Sequence, residues 1–163
     1  MGGMSVAIIA IGIPGSGKTT VLKPLAERYG LTYINRDDIR EEILGDARDQ
    51  SQNKAIWEEA NRRAAASLER GIGVVLDATF VESWKRKDMI SFLHEAGASP
   101  IIGVVARISL DVAKERNQGR ERVVPNDVLE WMHTKLENEP PTVEEGFDAL
   151  IGLDEIEKLA ASL

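Results

Sequence analysis

At 163 residues, with 43% hydrophobic and 29% charged residues, the chain has the length of one domain with a substantial core, and the absence of cysteine rules out a disulfide framework, a thiolate metal site and a cysteine nucleophile. A formal net charge of −7 argues against non-specific coating of long nucleic acid, which needs a basic face, but not against a local basic pocket around one phosphorylated or nucleotide-like substrate. No apolar run approaches the roughly 20 residues of a membrane span, and the start lacks a basic signal-peptide region and has Val6 where myristoylation needs Ser or Thr, so the chain reads as soluble and cytoplasmic.

Residues 1–4 read as an alternative, disordered start or a cloning remnant; the rest reads as one domain. Residues 6–11 are an apolar run, suited to a strand buried on both faces of a parallel sheet. A helix is predicted over 17–29, ended by Gly30, with Pro24 inside it expected to bend it. Residues 32–35 form a short second strand, and 38–44 a short helix. A long helix follows over 51–70, with Ile56, Ala60, Ala64 and Leu68 spaced four apart and Gly71 as its stop. A third strand, 73–76, ends at Asp77; 83–96 is helical; 101–106 is a fourth strand. Helices are predicted over 110–118 and from Pro125, in the first turn, to about 137. Residues 149–153 are a weak fifth strand, and Asp154 caps a terminal helix. Strands alternating with helices give an α/β fold with a mainly parallel five-stranded sheet and right-handed crossovers. Ligands on such sheets bind beyond the carboxyl ends of the strands, which brings residues 12–19, 35–40 and 77–79 to one edge.

The first of these segments, Gly12-Ile13-Pro14-Gly15-Ser16-Gly17-Lys18-Thr19, spells the P-loop G-x-x-x-x-G-K-[ST] between a strand and a helix. Its glycines let successive backbone N–H groups curl around a polyphosphate, and the helix that follows adds its positive dipole end. Lys18 can reach the β- and γ-phosphates of ATP or another NTP, and Thr19 can supply a hydroxyl to Mg²⁺.

The second segment has two adjacent aspartates. Asp38, with Glu41 three residues on, resembles a capping box. Asp37 is then free to face the sheet edge, where a kinase needs a carboxylate to orient the acceptor hydroxyl and take its proton. Arg40, three residues along, can pair with Asp37 or grip the acceptor or the transferred phosphoryl group. The alternative makes Asp37 the cap and Arg40 a solvated charge. Asp77, at the end of an apolar strand and followed by Ala78-Thr79, suits either Mg²⁺ or the acceptor. Arg116 and Arg120 share a helix face if the helix persists, and Gln118-Gly119 interrupts it. A cationic lid over about 107–125 follows, against the alternative of ordinary ion pairing with Asp111, Glu115 and Glu121. His94 and His133 have no metal or triad pattern, Glu58 and Glu59 read as a solvated helix face, and Trp57, Trp84 and Trp131 read as core or partly buried anchors.

Residues 12–20 (GIPGSGKTT), 34–40 (INRDDIR), 77–79 (DAT), 115–117 (ERN) and 124–129 (VPNDVL), in this order and spacing, resemble the kinase domain of the polynucleotide 5′-kinase family, of the phage and bacterial end-healing type. The resemblance runs over about 6–136 and implies a three-layer P-loop kinase fold, with ATP or another NTP as donor and a 5′-hydroxyl polynucleotide end as acceptor. It implies phosphate and Mg²⁺ roles for Lys18 and Thr19, with Thr20 closing the loop motif. It makes Asp37 the general base, Arg40 a phosphate-contacting arginine, Asp77 with Thr79 the acceptor side, and Arg120 the lid arginine, with Arg116 opening the same motif. Two features depart from the family. Phe80 stands where many relatives have asparagine, and phosphatase and ligase signatures are absent, leaving those steps to separate partners. The acidic composition leaves room for a smaller acceptor, such as a tRNA-linked hydroxyl, a nucleoside, a sugar or an antibiotic. A nucleotide-binding switch is the reading from another class; the base-reading N-K-x-D of GTPases is missing, since Asn53-Lys54 is followed by Ala55-Ile56.

Overall fold

The computed structural model describes residues 5–161, and residues 1–4, read above as a start or remnant, lie outside the described residues. Five strands, β1 (Ala7–Ile11), β2 (Thr32–Asn35), β3 (Val74–Asp77), β4 (Ile101–Val105) and β5 (Ala149–Gly152), pair in the order β2-β3-β1-β4-β5. All four pairings are parallel. The helices are α1 (Lys18–Tyr29), α2 (Arg36–Leu44), α3 (Asn53–Glu69), α4 (Ser83–Glu95), α5 (Leu110–Gln118), α6 (Asn126–Asn138) and α7 (Ile156–Ala161). No helix among the described residues is long and apolar enough to cross a membrane.

Alternation along β1 builds the layers. Ala7, Ile9 and Ile11 face one side, against Ile39 of α2, Ile56, Ala60 and Ala64 of α3, and Met89 and Leu93 of α4. Ile8 and Ala10 face the other, against Leu22, Leu25 and Ala26 of α1 and Ile156 of α7. Successive side chains of a strand point to opposite faces, so a strand covered on both sides must be apolar throughout. A third cluster, of Ile13, Val81, Ala113 and Leu129, fixes α5 and α6 to the loop after β1.

The structure corrects several sequence expectations. α2 begins at Arg36, not Asp38, because Asn35 caps it: extended at φ −128°, Asn35 accepts from the N–H groups of Asp37 at 2.9 Å and Asp38 at 3.2 Å. Asp38 therefore lies within the first turn and is not the cap. At the chain's end, Gly152 precedes a 3₁₀ turn over Leu153–Glu155, so Asp154 sits inside that turn rather than capping α7. Pro24 lies inside α1, where the sequence placed it. Trp84 and Trp131, read as anchors, are 57% and 52% exposed.

One buried charge organises the back of the site. Arg86 of α4, fully buried, donates from Nε and Nη2 to the Glu145 carboxylate, both at 2.9 Å. It also donates to the carbonyls of Phe80 at 2.7 Å and Glu139 at 2.6 Å. Burial opposes the Glu145 charge, but the hydrogen bonds from Arg86, Ser83 and the Thr142 N–H outweigh it and hold the carboxyl below the ordinary glutamate value. Phe80, at φ +47°, is thereby held in the left-handed region directly after residues 77–79.

Candidate active site

β1, β2 and β3 all deliver their following residues to the same sheet edge. After β1 the loop turns at Gly15 (φ +87°) and Gly17 (φ +90°), where a side chain is strained. At Gly15 a Cβ would also meet the Ala113 carbonyl oxygen at 2.9 Å. Gly12 N–H donates to Thr79 O at 3.1 Å, which ties the loop to the residues after β3. No side chain among the described residues caps α1. The N–H groups of its first turn, from Lys18 onward, are therefore left for an anion.

Asp77, 3% exposed, lies between this loop and β2. Its Oδ2 accepts from Thr19 Oγ1 at 2.7 Å and from the Tyr33 hydroxyl, and its Oδ1 is 4.0 Å from Lys18 Nζ. Asn35 Nδ2 donates to the Tyr33 oxygen at 3.4 Å. Burial lowers the Lys18 ammonium below the ordinary lysine value, against the pull of Asp77 and with the push of Arg120. Burial and the Asp77 charge raise the Tyr33 phenol, keeping it a proton donor.

Thr19 and Asp77 make an oxygen-only donor pair beside a phosphate-binding loop, and no cluster of three or more His, Cys, Asp or Glu among the described residues forms an all-protein metal cage. Mg²⁺ suits this chemistry, since it takes one or two protein oxygens plus phosphates and waters. The sequence left Asp77 open between metal and acceptor; its contact with Thr19 fits the metal side.

A cleft of about 730 Å³ opens beside these residues. Lys18, Arg36, Arg40, Arg48, Lys85, Arg120 and Arg122 line it, against only Asp37 and Asp77, so a chain of net charge −7 concentrates positive charge here. Arg40 Nη1 donates to Asp37 Oδ1 at 2.6 Å and its Nη2 to Asn53 Oδ1 at 3.1 Å, while its buried Nε has no partner among the described residues. Arg40 is 7% exposed, which excludes the solvated charge of the alternative reading, and Asp37 is not the cap. The Arg36 guanidinium sits 4.2 Å from the Trp57 ring centre and 5.6 Å from that of Phe80. Burial and the Arg40 charge lower it to about 10, against the pull of Asp37. Thr79 lines the same cleft.

The two arginines expected in a lid separate. Arg120 lines the cleft with a buried, unpartnered Nη1, whereas Arg116 is exposed and reaches the Gly15 carbonyl at 3.4 Å. α5 stops at Gln118, as the Gln118-Gly119 break implied. Arg122 then bridges to α2 through Asp38 at 2.9 Å and through Glu41. Asn117 pins the segment by exchanging hydrogen bonds with the Val124 backbone at 2.6 and 3.0 Å. On the other side of the loop a second cleft, about 710 Å³, is lined by Ser16, Val21, Arg107 and residues 150–155. Thr20 is exposed and lines neither cleft.

Sequence reasoning missed Tyr33, Arg36 and Arg122; Trp57 is partly buried against the core, as expected of an anchor, and also lines the cleft. Arg36 lies inside the N-R-D-D segment, and Tyr33 lies two residues before Asn35, hence on the same strand face; those were the available signals. Arg122 carried none beyond its place in a cationic run.

Fold and site together define a P-loop domain of the kinase type. Residues 8–139 match the AAA domain family AAA_33, and the chain belongs to that family. It is 28% identical over 158 residues to a cytidylate kinase of Methanocaldococcus jannaschii, covering 91% of this chain and 83% of that one. It is 31% identical over 120 residues to an adenylate kinase of Elusimicrobium minutum, covering 67% of this chain and 56% of that one. Among solved structures, a chain of the Pnkp1/Rnl/Hen1 RNA repair complex superposes with a TM-score of 0.74 at 23% identity, covering 91% of this chain but 48% of that one. A gluconokinase from Sinorhizobium meliloti 1021 superposes with a TM-score of 0.63 at 20% identity, covering 98% and 91%. These last two likenesses are of fold alone.

Proposed function

We propose that the protein transfers the γ-phosphoryl group of ATP, or of another NTP, to the 5′-hydroxyl end of a polynucleotide. The observation that carries this reading is the single cleft lined both by Lys18 and Thr19 of the phosphate loop and by Asp37 and Arg40 of α2, with cations in excess. Donor phosphates lie along the loop N–H groups and Lys18, and the donor base occupies the second cleft across the loop, beside Val21 and Arg107. The acceptor hydroxyl enters beside Asp37, whose carboxylate takes its proton as the oxygen bonds to the γ-phosphorus and the bond to the β–γ bridging oxygen breaks, releasing the nucleoside diphosphate. Arg40, at 2.6 Å, orients Asp37, and Lys18 and Arg120 stabilise charge on the group in transit. Thr19 and Asp77 would hold Mg²⁺, which when bound neutralises β- and γ-phosphate oxygens. Phosphatase and ligase steps of end healing fall to separate partners.

Label from γ-labelled ATP is expected on a 5′-hydroxyl oligonucleotide in the presence of Mg²⁺, and to be lost in Lys18→Ala and Asp37→Ala. ATP binding without labelling of any oligonucleotide rejects the reading. A cleft of about 730 Å³ lies within the range of small-molecule sites, roughly 300–1,000 Å³, and favours as the second reading a small hydroxyl acceptor bearing an anionic group. Nucleoside, sugar and antibiotic acceptors, each with and without a phosphate or carboxylate group, in a coupled assay of ADP release separate the two.

A further inference from the structure

We infer that Tyr33 is a positioning residue for the metal-side carboxylate, its hydroxyl joining the cap of the acceptor helix to Asp77 in one hydrogen-bonded chain. The inference rests on the donor half of the function proposed above.

β2 and β3 are adjacent and parallel, with Asn35 in register with Asp77. Tyr33, two residues before Asn35, shares its strand face, and the ring packs among the side chains under α1, with Lys23 Nζ 5.8 Å from its centre. From there the hydroxyl reaches Asp77 Oδ2, the same oxygen that accepts from Thr19. The chain runs from the N–H groups of Asp37 and Asp38 to Asn35 Oδ1, from Asn35 Nδ2 to the Tyr33 oxygen, and from Tyr33 to Asp77.

This arrangement has two consequences. A carboxylate oxygen with two donors is saturated, so Asp77 is fixed about its side-chain torsion with Oδ2 towards Thr19. Thr19 must then spend its one proton on Asp77, which turns its lone pairs away from the carboxylate and leaves them for a cation. Without the Tyr33 hydroxyl, Asp77 can rotate towards Lys18, already 4.0 Å from Oδ1, and close an ion pair that occupies both groups. Tyr33 thus keeps the lysine for phosphate and the threonine for metal. It also ties the separation of the two halves to the cap of α2.

The test is a titration of Mg²⁺ against a fluorescent ATP analogue bound to the full chain, in wild type, Tyr33→Phe, Asp77→Asn and the double variant. Phenylalanine keeps the ring and its packing. Tyr33→Phe is expected to raise the Mg²⁺ needed for half-maximal enhancement of nucleotide binding by about tenfold, the scale on which loss of an outer-shell partner weakens a metal site. It is expected to weaken Mg²⁺-free nucleotide binding by less than this, through the partial diversion of Lys18 to Asp77. The double variant should lose no more than Asp77→Asn alone, because Tyr33 acts through that carboxylate. An unchanged Mg²⁺ requirement, an equal loss of affinity with and without Mg²⁺, or additive losses in the double variant would each overturn the inference. A wild type whose nucleotide binding ignores Mg²⁺ instead overturns the donor site itself, and Tyr33's role with it.

Discussion

Removing the Arg86 side chain tests whether the back of the catalytic edge is held by one buried ion pair. Arg86→Met removes a fully buried guanidinium and four hydrogen bonds, two to Glu145 and one each to the carbonyls of Phe80 and Glu139. The Glu145 carboxylate, 5% exposed, keeps as donors among the described residues only Ser83 and the Thr142 N–H. Breaking a buried pair from one side costs about 3–5 kcal/mol. For a domain of this length each kcal/mol moves the melting temperature by about 2–4 °C, so Arg86→Met should melt roughly 6–20 °C lower. Adding Glu145→Leu removes the stranded charge and should restore about 0.5–3 kcal/mol. Urea unfolding and thermal melting of both singles and the double measure these terms. A single variant within about 1 kcal/mol of wild type, or a double variant equal to the sum of the singles, would refute the ion pair as the element that holds residues 80, 139 and 145 together.

The remaining predictions concern pH and the cleft. Glu145 has a folded pKa below its ordinary value of 4.5, so the native state binds fewer protons than the unfolded chain in that window; the stability it contributes is complete above 4.5 and is lost as pH falls through the folded value. Urea midpoints taken from about pH 6 to about pH 3 should therefore fall more steeply in wild type than in Glu145→Gln. Asp37→Asn should lower kcat for phosphoryl transfer by about 10²–10⁴ with donor affinity retained, read from steady-state rates and nucleotide titration. Trp57→Ala removes the ring 4.2 Å from the Arg36 guanidinium, an interaction of about 0.5–2 kcal/mol, and should raise acceptor KM without changing donor KM.

The parts of the site that follow local rules were legible from sequence. The phosphate loop declares itself by spelling, and its flanking strand and helix by hydrophobic pattern and by Gly30. The rule that ligands lie beyond strand ends brings residues 12–19, 35–40 and 77–79 together from sequence alone. Local competition was harder to read. Asn35 and Asp38 are both good caps, and the strand's end at Asn35 decided between them, displacing the helix start by two residues. Non-local contacts left weaker signals. Arg86 falls on the same helical stripe as Met89, Ile90 and Leu93, so its burial was readable from spacing, but its partner lies 59 residues away. Trp84 and Trp131 misled because aromatic character alone does not say which helix face is covered. Tyr33 looked like an ordinary strand residue; only the register of β2 on β3 brings its hydroxyl to Asp77.

The central claim is that the cation-rich cleft presents a polynucleotide 5′-hydroxyl to Asp37 opposite a donor held by the loop. The most direct measurement is transfer of label from γ-labelled ATP to matched oligonucleotides ending in 5′-hydroxyl or 5′-phosphate, in DNA and RNA, with nucleosides alongside. The account predicts Mg²⁺-dependent label on 5′-hydroxyl ends only, formed about 10²–10⁴ times more slowly in Asp37→Asn. Bound nucleotide with no labelled oligonucleotide, or label formed at the wild-type rate in Asp37→Asn, would contradict it.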